Sequence, residues 1–270
     1  MAGINFLFWN LNKKVLINEI VSLCKENKID VLILAEFKGT DLEYLERRLK
    51  DYNKDFKLEL HLPKNRTVMF HTLKHDVVKL KDGKYFSAYK IKNNIDEIMV
   101  FSLHLPSKMY LEERELSLHV PRIVREIEKL EEENKNDKTI VIGDFNMNPF
   151  SDGMVSSEGF HAVMSDKVAK EVQRKVLGEY RKYFYNPTWH LLGNAKNSTM
   201  GSYFYHKTPI SYAWNVLDQV ILRPSLIDKF CINDLKIISK INLNELLTES
   251  GIPDCRKYSD HLPIFFKLDL

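Results

Sequence analysis

Thr139-Ile140-Val141-Ile142-Gly143-Asp144-Phe145-Asn146 decides the reading of this chain. The first four residues form a short β-branched, apolar run, the pattern of a strand buried on both faces. A glycine and a carboxylate follow at once. Burying an unpaired carboxylate costs several kcal/mol or shifts its pKa, so an acid at the very end of a buried strand needs a reason.

Working outward, the same arrangement recurs. Upstream, the apolar residues 4–9 end in Asn10, with Asn12 two positions on. The run 31–35 ends in Glu36, followed by Lys38, and the run 100–103 ends in His104. Downstream, Val216-Leu217 leads into Asp218, and Ser259-Asp260-His261 precedes the closing apolar run 263–268. Singly, each has a plain structural explanation. Asn10 can bond a turn, Glu36 can be a solvated strand end, His104 a satisfied core histidine and Asp218 a loop cap. Gly-Asp-Phe-Asn can be a turn, and Ser-Asp-His a cap. All of them in one order, always where an apolar run ends or begins, point to a shared site.

Helical signals lie between these runs. Ile17, Ile20, Val21 and Cys24 form one apolar stripe, and Thr40 with Glu43 resembles a capping box that opens a helix burying Leu42, Leu45 and Leu49. Residues 67–70, 76–80, 85–91 and 97–104 read as strands, as do 216–222. Leu116, Val120, Ile123, Val124, Ile127 and Leu130 repeat at helical spacing, with Pro121 either kinking that helix or marking its start. No internal repeat or Pro/Gly/Ser-rich linker divides the chain, which predicts one domain over residues 1–270. Mixed strands with interspersed helices predict an α/β sandwich, two sheets face to face with helices outside.

Composition sets the outer limits. Forty basic residues against 37 acidic ones leave a net charge of only +3, which permits a nucleic-acid partner without announcing one. The three cysteines form no CxxC pair, which argues against a structural zinc site or a disulfide framework. No apolar stretch approaches the ~18 residues of a membrane span, and the start lacks the basic region of a signal peptide. A cytoplasmic protein without a membrane partner is the expectation.

The ordered set resembles the endonuclease/exonuclease/phosphatase superfamily, to which exonuclease III, AP endonucleases, pancreatic deoxyribonuclease, deadenylases and inositol-phosphate phosphatases belong. The stretches that carry the resemblance are Phe8-Trp9-Asn10-Leu11-Asn12, Leu34-Ala35-Glu36-Phe37-Lys38, Ser102-Leu103-His104-Leu105, Gly143-Asp144-Phe145-Asn146, Leu217-Asp218-Gln219-Val220-Ile221-Leu222 and Ser259-Asp260-His261. Gly-Asp-x-Asn paired with Ser-Asp-His is the specific element. The resemblance implies an α/β (α+β) fold, a four-layer α/β/β/α sandwich of two mixed sheets, and phosphoester hydrolysis with Mg²⁺ or Mn²⁺. It implies that Glu36 holds the metal, with Asn10 and Asp260 nearby, and that Asp144 orients or deprotonates the attacking water. Asn146 would bond a phosphate oxygen, His104 would donate to a non-bridging oxygen, and His261 would contact the phosphate and act in acid/base chemistry. Asp218 would fix the His261 tautomer from the other ring nitrogen. Whether Asp144 or His261 is the base stays open at this point.

The sequence also departs from the family pattern. Ala35 stands where a glutamine often precedes the glutamate, and Lys13-Lys14 replaces a common Gly-Leu-Arg. Trp214-Asn215-Val216-Leu217-Asp218 is one residue longer than the usual Trp-Arg-Leu-Asp form. These points, with His104, lead away from the abasic-site repair branch. Met147-Asn148 in place of an aromatic-Arg pair leads away from the inositol-phosphate phosphatases.

Outside the shared motifs, Lys167, Lys170, Arg174, Lys175, Arg181 and Lys182 crowd one segment, followed by an aromatic-rich stretch that includes Tyr203, Tyr205, Tyr212 and Trp214. Basic and aromatic residues together suit a nucleic-acid strand. The alternative is a solvated helix face followed by aromatic core packing. The expectation taken forward is a metal-dependent nuclease with a nucleic-acid substrate. A phosphatase acting on small or lipid phosphoesters is the enzymatic alternative, and a binding module the non-enzymatic one.

Overall fold

The structure, a computed structural model, describes all residues except 1–2, 38–41, 61, 63, 75, 93–95, 108–112, 194–198 and 210. The apolar runs become strands and the stripes become helices. In chain order these are β1 (Ile4–Asn10), α1 (Ile17–Glu26), β2 (Val31–Ala35), α2 (Leu42–Tyr52), β3 (Lys57–Leu58), β4 (Thr67–His71), β5 (Asp76–Asp82), β6 (Phe86–Lys92), β7 (Glu97–His104), α3 (Glu113–Asn134) and β8 (Thr139–Asp144). The second half contributes β9 (Ala162–Val163), β10 (Gln173–Val176), β11 (Glu179–Lys182), β12 (Phe184–Tyr185), β13 (Tyr203–Tyr205), β14 (Ala213–Asn215) and β15 (Asp218–Leu222). Last come β16 (Lys236–Ile237), the small ribbon β17 (Lys240–Ile241) and β18 (Asn244–Glu245), and β19 (Ile264–Leu268).

Two mixed sheets result. One runs β16-β19-β1-β2-β4-β3 and the other β5-β6-β7-β8-β15-β12-β9. Side-chain alternation along a strand decides what each face meets. On β7, Ile98 and Val100 join the core shared with the first sheet, whereas Met99, Phe101 and Leu103 pack under α3. On β8, Ile140 and Ile142 face the shared core and Val141 faces α3. A hydroxyl–hydroxyl bond of 2.6 Å between Thr67 and Ser102 ties the sheets across that core. With α1 and α2 on the first sheet and α3 on the second, the chain forms the expected four-layer sandwich.

Helix α3 runs from Glu113 straight through Pro121, so Pro121 does not mark its start. An interior proline costs about 3 kcal/mol. Leu116, Val120, Ile123, Ile127 and Leu130 are all buried beneath it, and each such burial contributes about 1.5–3 kcal/mol. Packing therefore outweighs the lost hydrogen bond. In α2, Leu45 and Leu49 are buried with Glu43 in the first turn, while Thr40 lies outside the described residues. The basic segment 167–182 is not a helix face. One helical turn at 166–169 leads into the hairpin β10–β11, with Gln173 opposite Lys182.

Candidate active site

Strand register assembles the site. In the parallel pair β1/β2, Asn10 lies opposite Ala35, so Glu36 follows directly beyond. In the parallel pair β7/β8, His104 lies opposite Asp144, and antiparallel β15 sets Asp218 opposite the same Asp144. Residues 98, 100, 102 and 104 share one face of β7, and 140, 142 and 144 one face of β8, so His104 and Asp144 turn inward between the sheets. Gly143 is required here, because a Cβ would sit 1.8 Å from the Leu103 carbonyl oxygen and push β7 away from β8.

The segment before β19 closes the ring. The Trp9 indole N–H donates to the His261 carbonyl at 2.9 Å, and the Ser259 hydroxyl donates to the Asn10 carbonyl at 2.6 Å. Asn10, His104, Asp144, Asn146, Asp218 and His261 are buried, whereas Glu36 and Asp260 are only partly so.

Around Asp144, one carboxylate oxygen accepts the Asn10 side-chain N–H at 2.9 Å and the other accepts the Asn146 backbone N–H at 2.8 Å. The Asn146 side chain donates to the Leu105 carbonyl at 2.9 Å. His261 Nδ1 pairs with Asp218 Oδ2 at 2.8 Å, while His261 Nε2 lies 3.9 Å from Asp144 Oδ2. His104 Nε2 is 3.5 Å from Glu36 Oε1 and 3.9 Å from Asp144 Oδ2. Asn12, Lys13, Glu36 and Asn146 all adopt positive φ, between 45° and 61°. Asparagine tolerates that region, but Lys13 and Glu36 hold strain of the kind that gathers at functional sites.

Electrostatics separates the two histidines. Burial pushes His104 down to about 3, helped by the charges of Arg66, His261 and Lys13, so it is neutral. Burial opposes charge on His261 too, but the Asp218 and Asp144 carboxylates outweigh it and hold His261 up at about 10. Burial pushes Asp144 up to about 7 against the pull of His261, with Asp218 adding to the rise.

The donors suit a hard divalent cation, which takes carboxylate and carbonyl oxygens. Asp218 Oδ1 is buried without a hydrogen-bond partner among the described residues, and Asp144 lies beside it as a second buried carboxylate. The tightest donor group among the described residues is Asp144, Asp218 and His261, whose ligand atoms lie within 4.8 Å of one another. That differs from the expected set Asn10, Glu36 and Asp260. The His261–Asp218 bond occupies Nδ1 and Oδ2 of that group, which leaves His261 Nε2 and Asp218 Oδ1 as its open donor atoms. Asn10, Glu36 and Asp260 meet at the same end of the sandwich by register and by the Ser259 bond, with Glu36 and Asp260 only partly buried.

Several contacts of the site escaped the sequence reading. Ser202 Oγ accepts the Asp218 backbone N–H at 3.1 Å, and the Tyr203 ring packs on His261 with centroids 4.8 Å apart. Both belong to the aromatic stretch, where a three-residue strand leaves no periodic signal. Asn148 and Asn215 pair at 2.8 Å, and Asn148 also accepts the Val216 N–H at 3.0 Å. This clamp joins the Asn146 loop to the entry of β15. The basic hairpin lies elsewhere. β12 pairs Tyr185 with Leu222 and Tyr183 bonds Arg223, so β10–β11 projects at the end of β15 opposite Asp218.

A sandwich that gathers carboxylates, amides and imidazoles at one end is the architecture of a hydrolase. The chain belongs to the Endonuclease/Exonuclease/phosphatase family, whose pattern it matches over residues 7–261. Solved structures with this fold include truncated TDP2 from Caenorhabditis elegans, with TM-score 0.58 and 14% identity over 99% of this chain and 98% of that one. An AP endonuclease from Archaeoglobus fulgidus has TM-score 0.58 and 16% identity over 99% and 100%. TDP2 from D. rerio, complexed with single strand DNA product, has TM-score 0.58 and 14% identity over the full length of both chains. At such identities the likeness concerns the fold. No curated protein matches the sequence. No helix among the described residues is long and apolar enough to cross a membrane.

Proposed function

We propose that the protein is a divalent-metal-dependent phosphodiesterase that cleaves nucleic acid. The observation that carries this reading is the convergence of Glu36, His104, Asp144 and His261 within 3.9 Å steps, with His261 anchored by Asp218. Glu36, with Asn10 and Asp260, would hold Mg²⁺ or Mn²⁺, which supplies charge neutralisation at the phosphate. Charged His261 contacts an anionic phosphate oxygen through Nε2, its orientation fixed by Asp218 at Nδ1. Asp144, near neutrality in affinity for a proton, is matched to take one from the attacking water. Neutral His104 donates from the Glu36 side, and Asn146 bonds the phosphate. The hairpin β13–β14 bears Tyr203 on His261 and exposed Tyr205, surfaces on which a base can stack.

The test is a panel of single- and double-stranded DNA, RNA and small phosphoesters with Mg²⁺ or Mn²⁺, run with and without EDTA. Metal-dependent cleavage of a polynucleotide, lost in Glu36→Gln at unchanged melting temperature, is the expected result. Undiminished turnover in EDTA would end the metal assignment, and hydrolysis of small phosphoesters alone would replace the nuclease with a phosphatase.

A further inference from the structure

Arg66 and Lys84 come from different sheets and meet on one aromatic ring beside the site. Arg66 directly precedes β4, whose Thr67 pairs with Ala35, so it stands at the level of Glu36. Lys84 precedes Tyr85, whose carbonyl accepts the His104 N–H at 2.9 Å. The Arg66 guanidinium and the Lys84 ammonium each lie 5.0 Å from the centre of the Tyr85 ring. Tyr85 is buried, Arg66 half-buried and Lys84 exposed. The two cations thus straddle the gap between the sheets at the end where His104 and Glu36 lie.

Neither cation makes an ion pair among the described residues. The carboxylate nearest in sequence, Asp82, is already taken by Lys79 at 2.8 Å, Ser87 at 2.7 Å and Asn65 at 3.1 Å. Two like charges drawn to one ring repel each other, and an anion between them removes that repulsion. The planar guanidinium offers a two-pronged donor for phosphate oxygens, and the ammonium offers a point charge. Resting on the ring also restricts Arg66, so less freedom is lost when it binds.

Building on the nuclease reading, we infer that Arg66 and Lys84 form a subsite for a second phosphate of the substrate strand, next to the one being cleaved. Cleavage then favours strands that carry a phosphate on the neighbouring nucleotide.

The experiment compares a dinucleotide whose only phosphate is the internal diester with versions bearing an extra 5′- or 3′-terminal phosphate. The readout is the ratio of kcat/KM with and without the extra group. Wild type should prefer one phosphorylated version by roughly tenfold or more, as loss of a charge-assisted contact implies. Arg66→Met/Lys84→Met should bring the ratio to about one, and Arg66→Lys should restore part of it. A folded double variant that keeps the wild-type ratio, or a wild type that cuts the dinucleotides without preference, overturns the subsite while leaving the nuclease in place. A wild type that cuts no nucleotide substrate overturns the nuclease reading, and the subsite falls with it.

Discussion

At one end of β15 a buried arginine is held on three of its nitrogens, and at the other a buried aspartate keeps one oxygen bare. Arg223 donates through Nε to Glu131 at 2.7 Å, through Nη2 to the second Glu131 oxygen at 3.1 Å and through Nη1 to the Tyr183 carbonyl at 3.1 Å. Its guanidinium also lies 3.9 Å from the centre of the Phe184 ring. Asp218 has His261 on Oδ2 and, among the described residues, no hydrogen-bond partner on Oδ1. Only about 17 Å of strand separates them, at ~3.3 Å per residue. Both are buried charges, but only the first has its bonding completed by the fold. Burial alone therefore does not set the two charges apart; unfinished bonding does, and on the proposed reading that is what marks Asp218 as part of the site.

The hairpin β10–β11 teaches the same thing at the surface. Lys170 pairs with Asp228 at 2.6 Å, Arg181 with Glu158 at 2.8 Å and Lys182 with Glu131 at 3.5 Å. Arg174 donates to His161 at 2.9 Å. Sequence density suggests a phosphate grip, and folding pairs these cations with neighbours at the end of β15 opposite Asp218.

The contrast breaks first at His261. His261→Ala should lower kcat by roughly 10²–10⁴-fold, Asp218→Asn by less, and the double variant by little more than His261→Ala alone. Multiplicative losses in single-turnover kinetics would show that the pair does not act as a unit. At the other end, Arg223→Met should cost about 3–5 kcal/mol in urea unfolding, because it leaves buried Glu131 with only the 3.5 Å contact to Lys182 among the described residues. Turnover per folded molecule should stay the same, and Arg223→Met/Glu131→Leu should recover most of the stability. A kinetic defect in the folded single variant would erase the distinction between the two ends.

A gentler probe is pH. Asp144 binds its proton more tightly folded, at about 7, than unfolded, so ionisation there removes stability as pH rises from about 4 to 7. His261, held up at about 10, contributes stability that is complete below about 6.5 and lost as pH rises through 10. Melting temperatures in EDTA should therefore fall toward alkali, and Asp144→Asn should flatten the lower part of that slope. A slope unchanged by the substitution would show that Asp144 is not the group responsible. The smallest effect belongs to the hairpin. Neutralising Arg174, Lys175, Arg181 and Lys182 together should change kcat/KM on long polynucleotides by less than about twofold, since exposed pairs contribute little. A large rise in KM would return the hairpin to the binding surface.

Much of this was legible because strong apolar runs have one outcome. Residues 97–104 become a strand with those same bounds, and the run 139–142 extends only to Asp144. The strand-end residues were visible for the same reason, since a polar group after an apolar run is conspicuous. What the sequence hid was pairing across distance. Nothing local says that Ser202 caps Asp218, that Tyr203 lies on His261, or that Arg66 reaches Tyr85. In the basic segment, composition records charges and omits the carboxylates folded against them, among them Asp228, Glu158 and Glu131. Its four-residue strands are too short for periodicity to separate from a helix.

The pairing of β1 with β19, Ile4 against Leu268 through Phe8 against Ile264, has a consequence in time. Asn10 and His261 are joined through Trp9 and Ser259, yet a ribosome adding ~5–20 residues per second makes them roughly 10–50 s apart. Through that interval a nascent chain already carries Glu36, His104, Asp144 and Asp218. It lacks the imidazole that completes them and the strand that covers β1. On the proposed reading, synthesis itself acts as a safety catch, because the site stays incomplete until residues 259–268 have been made and dock.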